Sequence, residues 1–524
     1  MITDRAREEV EDFERLKEIT QILLDEGFGF ILKELGLGNK VPFHHRIKPR
    51  GSPERLRETF EELGPTFIKF GQILAQRPDI LPREYTEELE KLEDDVSSFN
   101  AEKAREIIDE DTGMENFTEF EEEPVAAASI AQVHRAKLKN GEEVAVKVRR
   151  PGIVNQISKD LDILKFLAKE GEKHSEKMKK LRTRKMVKQF ASWTQDELDF
   201  QKERRNIERT RQNFQDEDRV KIPGAYPELS SERVLIMEFM EGVKCTEKEE
   251  MKQLEIDQKQ VAKTAIELGI KQVVRDGFFH ADPHPSNFLL NQEGEIILLD
   301  FGMMGEISKK KRRKIGLLFL HAVDQNVDAA MDIIKDIAYV EDDADLEELK
   351  EIVEHKIMEA KNATLAEYSI SRELLDITIE AGKKGVHMPA SFALIGKSLV
   401  TMEGIGLTIY PDFKMTEEYE DTAEEILRHQ NNPKKLARNI FIDLLQNREA
   451  VERPFSTLRN AATRQNHSPD IQIENRQNLF TPALILSSAV LFHASLKPQP
   501  AFILGVGELL LAAYIYTRNR KTVE

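Results

Sequence analysis

From residue 3 to about 93, apolar positions recur every three or four residues among many charges, with breaks at Gly36, Gly38, Gly51 and Pro53. That spacing predicts an all-helical N-terminal stretch. The pattern changes between residues 117 and 138, and beyond the turn at Asn140-Gly141 comes the β-branched run Val144-Ala145-Val146-Lys147-Val148. This predicts a hairpin in a small antiparallel sheet. Residues 153–208 return to a charged helical pattern, and 234–239 read as another strand ending at Glu241-Gly242. Residues 260–276 read as an amphipathic helix, 287–290 and 296–299 as short apolar strands, and nearly all of 308–442 as helical. The expected class is therefore α+β, a bilobal chain with a small sheet-bearing lobe and a helical lobe. Boundaries are placed at 1–115 for the helical extension, 116–241 and 242–447 for the lobes, 448–478 for an exposed linker rich in Arg, Asn, Gln and Ser, and 479–516 for an apolar hairpin.

The runs 479–496 and 501–516 contain no Lys or Arg and are separated by Lys497-Pro498-Gln499-Pro500. They are at the short end of the roughly 17–25 residues needed to span a bilayer. Arg476 precedes them, Arg518, Arg520 and Lys521 follow, and Tyr514 and Tyr516 lie near the end. These flanks favour a membrane hairpin with both ends, and the catalytic domain, on the cytoplasmic side. A buried helical hairpin or an interfacial anchor stays open as the alternative. Glu508 within the second run needs a partner, either His493 or a second subunit, which makes a homodimer through these helices an expectation.

At 524 residues the chain exceeds one ordinary core. A net charge of −18 argues against nucleic acid as a partner. The lone Cys245 forms no internal disulfide or Cys-based zinc site, and the N-terminus lacks the apolar core of a secretory signal. Both observations point to a cytosolic catalytic part.

Candidate chemistry concentrates in His280-Ala281-Asp282-Pro283-His284-Pro285-Ser286-Asn287, followed thirteen residues after Asn287 by Asp300-Phe301-Gly302 at the end of an apolar strand. Phosphoryl transfer needs a carboxylate near the acceptor and oxygen ligands that place Mg²⁺ on the phosphates. Asp282 and Asn287 have the spacing of a kinase catalytic loop, with Asp282 catalytic and Asn287 a metal ligand; Asp300 supplies the other metal contact. A metallohydrolase site built on His280 and His284 is the competing reading, but hard oxygen ligands suit Mg²⁺ better. Upstream, Lys147 ends a V-A-V-K strand of the kind whose lysine reaches the α- and β-phosphates of ATP. Glu238 and Met240, where the later strand runs into Glu241-Gly242, join the nucleotide-binding set.

With three further motifs, the chain resembles the UbiB or AarF-domain-containing kinases, an atypical protein-kinase-like family, over about residues 62–411. Those motifs are Lys69-Phe70-Gly71-Gln72, Ala126-Ala127-Ala128-Ser129 and Glu197-Leu198-Asp199. The resemblance implies a kinase-like fold and makes Glu203 the salt-bridge partner of Lys147. It assigns the alanine-rich loop to nucleotide positioning that suppresses protein phosphorylation, since Cβ atoms fill space that kinase glycines leave open. It also implies that the helix bearing Lys69 and Gln72 occludes the site, with Lys69 near Glu197 and Asp199.

After Gly302 the chain passes almost directly into a charged helix, without an activation segment. A small or lipid-embedded substrate is therefore expected rather than a protein. Family resemblance implies an ATPase supporting quinone or isoprenoid lipid biosynthesis, with a membrane lipid or quinone-type intermediate and quinone-pathway enzymes as partners. A small-molecule or lipid kinase and a nucleotide-binding membrane scaffold without catalysis are the alternatives.

Overall fold

The computed structural model describes residues 2–29, 51–75, 81–92, 98–251, 253–281, 283–323, 325–362 and 370–411. Asp282, the linker and the apolar hairpin lie outside the described residues. Among the described residues, no helix is long and apolar enough to cross a membrane.

The N-terminal helices are α1 (Ile2–Asp25), α2 (Pro53–Leu63), α3 (Pro65–Ala75), α4 (Arg83–Leu89) and α5 (Ala101–Asp111). Strands β1 (Phe117–Phe120), β2 (Ala126–Ala127), β3 (Ala131–Leu138) and β4 (Glu143–Arg149) follow, then helices α6 (Ile153–His174), α7 (Thr183–Glu197) and α8 (Phe200–Asn213). Next come β5 (Val220–Lys221), β6 (Val234–Glu238), β7 (Val243–Lys244), α9 (Gln258–Ile270), β8 (Phe278–His280), β9 (Phe288–Leu290), β10 (Ile296–Leu298) and β11 (Met304–Glu306). The remainder is helical, with α10 (Lys309–Val323), α11 (Val327–Ile337), α12 (Leu346–Asn362), α13 (Ile370–Lys383) and α14 (Ala390–Ile409), apart from a short strand pair at Tyr339–Val340 and Val386–His387.

The first sheet is antiparallel in the order β1-β3-β4-β6, with β2 pairing the other half of β3. Gly141 turns the β3–β4 hairpin at φ 91°, a conformation that favours glycine. Alternation along β4 then decides where each side chain goes. Val144, Val146 and Val148 enter one core with Ala104 and Ile108 of α5, while Ala145 enters the core on the opposite side. Lys147 shares that opposite side, so the apolar packing of its neighbours aims it at the cleft. The helix α5, placed with the N-terminal extension on sequence, thus covers the back of the sheet.

Helices far apart in sequence form a second layer. Leu56, Phe60, Phe67 and Leu89 of the N-terminal helices share a core with Ile157 and Leu161 of α6 and Phe190 of α7. Each amphipathic helix has an apolar stripe it cannot bury alone. The long segment between Lys147 and Glu203 supplies the missing surface.

In the helical lobe, Ala262 and Ile266 of α9 pack with Phe392, Ile395 and Leu399 of α14. Where a helix was expected to continue to residue 276, α9 ends at Ile270 and the wider π-helical turn Lys271–Asp276 follows. This turn places the side-chain oxygen of Gln272 2.8 Å from the His280 N–H, which donates to it. A second sheet in the order β5-β10-β9-β7 and the pair β8–β11 carry the loops described next.

Candidate functional site

Lys147 lies opposite Val133 of β3 on one side and Leu235 of β6 on the other. Val133 is in turn opposite Ala126, so Ala126 and Lys147 occupy one row across the sheet. The Lys147 ammonium donates to both carboxylate oxygens of Glu203, at 2.7 and 2.9 Å, and stands 3.6 Å from Asp300. It also lies 5.4 Å from the Phe200 ring centroid, within cation–π range.

The Asp300 loop is fixed from several sides. The Gly302 N–H donates to the Asp300 carboxylate at 3.0 Å, and the Asn287 amide lies 3.4 Å from its other oxygen. Phe301 is fully buried, and its carbonyl accepts from Asn206 of α8, the same helix that carries Glu203. Lys147, Glu203, Asp300 and Asn287 are thereby gathered around one cleft.

Lys69 of α3 reaches the same cluster by donating to Glu197 at 2.6 Å. The Glu197 chain passes the Gly302 backbone so closely that a Cβ at Gly302 would meet Glu197 Cγ at 3.3 Å. Gly71 lets α3 approach its neighbours, because a Cβ there would fall 2.4 Å from Leu92 and 2.5 Å from Phe60. Gln72 donates to the Leu92 carbonyl at 3.1 Å. Asp199 is turned elsewhere: it is the N-cap of α8, accepting from the Gln201 N–H at 3.0 Å, and pairs with Arg205 at 3.5 Å.

In the alanine-rich loop, Ala126 and Ala127 pair with β3, the Ala128 N–H donates to the Ala131 carbonyl at 2.7 Å, and Arg150 donates to the Ala128 carbonyl at 3.2 Å. Ser129 is buried, and its hydroxyl has no partner among the described residues. Glu238 accepts from the Gly224 N–H at 3.1 Å, and Met240 is half-buried. His284 bonds to the Ser286 hydroxyl at 2.6 Å. Among the described residues, no group of three or more His, Cys, Asp or Glu side chains is gathered for a metal.

Three carboxylates, Glu203, Asp300 and Glu197, face two ammoniums, Lys147 and Lys69. Burial works against the Lys147 charge, but Glu203 and then Asp300 outweigh it, so Lys147 holds its proton more tightly than an ordinary lysine. Burial likewise opposes the Asp300 charge, yet Lys147, His280 and the Gly302 N–H keep that carboxyl well below the usual range. Glu203 goes the other way: burial pushes it up to about 7, with Lys147 opposing and Asp300 adding to the rise. Excess negative charge and hard oxygen donors on Asp300 and Asn287 are what a divalent cation needs.

A pH dependence follows. Glu203 takes up a proton as pH falls through about 7, and Lys147 then loses the ionic half of its clamp. Because the folded value lies above the ordinary 4.5, this protonation favours the folded state as pH falls toward 4.5. Weaker binding would therefore not reflect unfolding. Titration with a fluorescent ATP analogue should show affinity falling between about threefold and tenfold from pH 8 to pH 6 in the wild type and a flat profile in Glu203→Gln. A flat wild-type profile refutes it.

An ABC1 atypical kinase-like domain matches residues 91–334, and a UbiB helical domain matches residues 354–414. An uncharacterised protein of Synechocystis is 32% identical over 76% of this chain and 68% of its own length. The chain belongs to the ABC1/UbiB family of atypical kinase-like proteins. The chloroplastic protein Activity of bc1 complex kinase 7 of Arabidopsis thaliana is 34% identical over 73% of this chain, which spans 55% of the plant protein. An uncharacterised protein from the hydrogenase 1 5′ region of Clostridium pasteurianum is 33% identical over 77% of the chain and 74% of its own length. Family membership makes the chain a kinase-like protein with an α+β kinase-like domain.

One group at the edge of this site was missed on sequence. Asp160 of α6 is fully buried, accepts from Thr66 of α3 at 2.7 Å, and is paired with Arg15 of α1 at 2.8 Å. Arg15 also donates to the Leu63 carbonyl at 2.6 Å. Thr66 and Lys69 are three residues apart and so share one face of α3. The signal was available: Asp160 interrupts the apolar stripe Ile157, Leu161, Leu164.

Proposed function

We propose that the chain binds Mg-ATP in the cleft between its lobes and hydrolyses it in support of quinone or isoprenoid lipid biosynthesis at a membrane. The observation that carries this reading is Lys147 held between Glu203 and Asp300, with the Lys69–Glu197 pair beside it. In this reading Lys147 clamps the α- and β-phosphates, and the alanine-rich loop with Glu238 and Met240 holds the rest of the nucleotide. Asp300 and Asn287 hold Mg²⁺, which when bound neutralises phosphate charge. Asp282 is the acceptor-side carboxylate, by its spacing in the catalytic loop.

Helix α3 lies beside the cluster, and only residues 303–308 separate Gly302 from α10. With no room there for a peptide-docking platform, a small or lipid-embedded acceptor or water suits the site better than a protein. The apolar runs at 479–516 support a membrane location with the kinase-like domain on the cytoplasmic side. The bc1 complex in the plant relatives' names supports a role beside quinone-linked membranes. Quinone-pathway enzymes and a second copy of the chain, met through the hairpin, are the proposed protein partners.

The test combines ATP turnover of the purified full chain with lipid analysis of cells carrying wild type or Asp282→Asn. The expected result is lost turnover together with altered isoprenoid lipids in the variant. Unchanged turnover and unchanged lipids would remove the proposed role, and a phosphorylated lipid formed in step with ADP would make the enzyme a lipid kinase instead.

A further inference from the structure

Lys309-Lys310-Lys311-Arg312-Arg313-Lys314 places six consecutive cations in a chain of net charge −18. They form the first turns of α10, which has no acid in its first turn. Cations at this end oppose the helix dipole, so the arrangement works against local stability. Two of the six are turned back onto the protein: Lys314 pairs with Asp336, and the Arg312 stem lies where a Cβ on Gly277 would meet it at 3.1 Å. Lys309, Lys310, Lys311 and Arg313 are exposed and form no ion pair among the described residues. At about 100° of rotation per residue, Lys309, Lys310 and Arg313 fall on one face within about a quarter to a third of a turn.

This face begins at the end of the β8–β11 pair away from the catalytic loop. Strand β11 is antiparallel to β8, with Met304 opposite His280, which opens the catalytic loop, and Glu306, three residues before Lys309, opposite Phe278. Among the described residues these cations form no ion pair, while many others do, as with Lys271 between Glu217 and Glu267. Three exposed cations within little more than one turn complement the phosphates of an anionic headgroup surface.

We propose that Lys309, Lys310 and Arg313 form a docking face for the anionic headgroup surface of a bilayer. It holds the start of α10, at the end of the β8–β11 pair away from the catalytic loop, next to lipid. The inference rests on the membrane location in the proposed function and adds the surface that orients the domain. Repulsion of the remaining acidic surface makes the attraction local, so one orientation is favoured over others.

The experiment measures partition of the full chain onto vesicles of phosphatidylcholine alone and of phosphatidylcholine with phosphatidylglycerol, at about 0.1 M salt. Anionic lipid should raise wild-type partition, and Lys309→Gln/Lys310→Gln/Arg313→Gln should lose about fivefold of that increment per cation, about 100-fold in all. Lys139→Gln/Lys165→Gln/Lys169→Gln, with the same charge change at exposed positions elsewhere, should stay within about twofold of wild type. Equal thermal midpoints for the two triple variants separate docking from folding. Equal loss in both variants, or no wild-type increment, overturns the docking face. An unchanged increment in the first variant with lost capture of an acidic peptide assigns the face to a protein partner and also overturns it. Binding to phosphatidylcholine without an anionic increment leaves the membrane location standing, whereas an anionic increment without phosphatidylcholine binding supports the face and removes the apolar anchor.

Discussion

Replacing Asp300 with Asn should reduce ATP turnover by at least about 100-fold while leaving the chain folded. The carboxylate has three partners that the amide serves poorly: the Lys147 ammonium at 3.6 Å, the Gly302 N–H at 3.0 Å and Asn287 at 3.4 Å. Its charge is strongly held, since Lys147 and His280 keep the carboxyl well below its usual range despite its partial burial. An amide of the same shape cannot supply that charge to a cation or to a phosphate-bound lysine. Its side chain is 37% exposed, so folding should depend on it far less than turnover does. A second signature separates this role from general damage. Asp300 is one of the charges that raise Glu203, so Asp300→Asn should move the Glu203 titration below about 7. Steady-state turnover and the pH profile of nucleotide affinity check the two effects. Near-normal turnover would remove Asp300 from the turnover machinery, whereas normal complementation in cells by a variant that has lost turnover would leave the chain as a scaffold that binds nucleotide without using it.

Much of this site was legible because kinase-like chemistry ties residue type to order along the chain. Lys147 could be placed from its V-A-V-K strand and its order ahead of the Asp300 loop, and the spacing from Asn287 to Asp300 marked two loops that the structure brings within 3.4 Å. Glu203 was different: 56 residues separate it from Lys147, and only the family resemblance selected it from a charged helical stretch. Periodicity shows which stripe of a helix is apolar and is silent about which other stripe covers it. For that reason the packing of α1–α4 on α6 and α7, and of α5 on the back of the sheet, could not be read in advance. Glu197 and Asp199 show the limit at short range. Two residues apart, they lie on either side of the break between α7 and α8, so one meets Lys69 and the other caps α8. Backbone geometry at the break separates them, and a motif read as a string carries no such geometry.

Asp160→Ala is expected to lower the stability of the folded chain by about 3–5 kcal/mol, the usual effect of removing one member of a buried charge pair. Asp160 is fully buried, and its two oxygens are shared between Arg15 and Thr66. Truncation leaves the Arg15 side chain, only 18% exposed, with the Leu63 carbonyl and the exposed end of Glu18. It also removes the Thr66–Asp160 bond that ties α3 to α6, leaving α3 with Lys69 to Glu197, Gln72 to the Leu92 carbonyl and its apolar packing. Loosening should therefore begin locally: amide exchange should rise first in Pro65–Ala75 and remain slow in Gln258–Ile270 of the other lobe. Arg15→Met combined with Asp160→Leu removes both charges together and should recover much of the loss, since a well-packed apolar pair avoids the isolated charge. Urea unfolding midpoints and exchange rates provide the readout. A midpoint unchanged in Asp160→Ala would sink the claim that this carboxylate ties the N-terminal helices to α6. Exchange rising equally in both lobes would limit its effect to general stability, with no particular hold on the helix that carries Lys69.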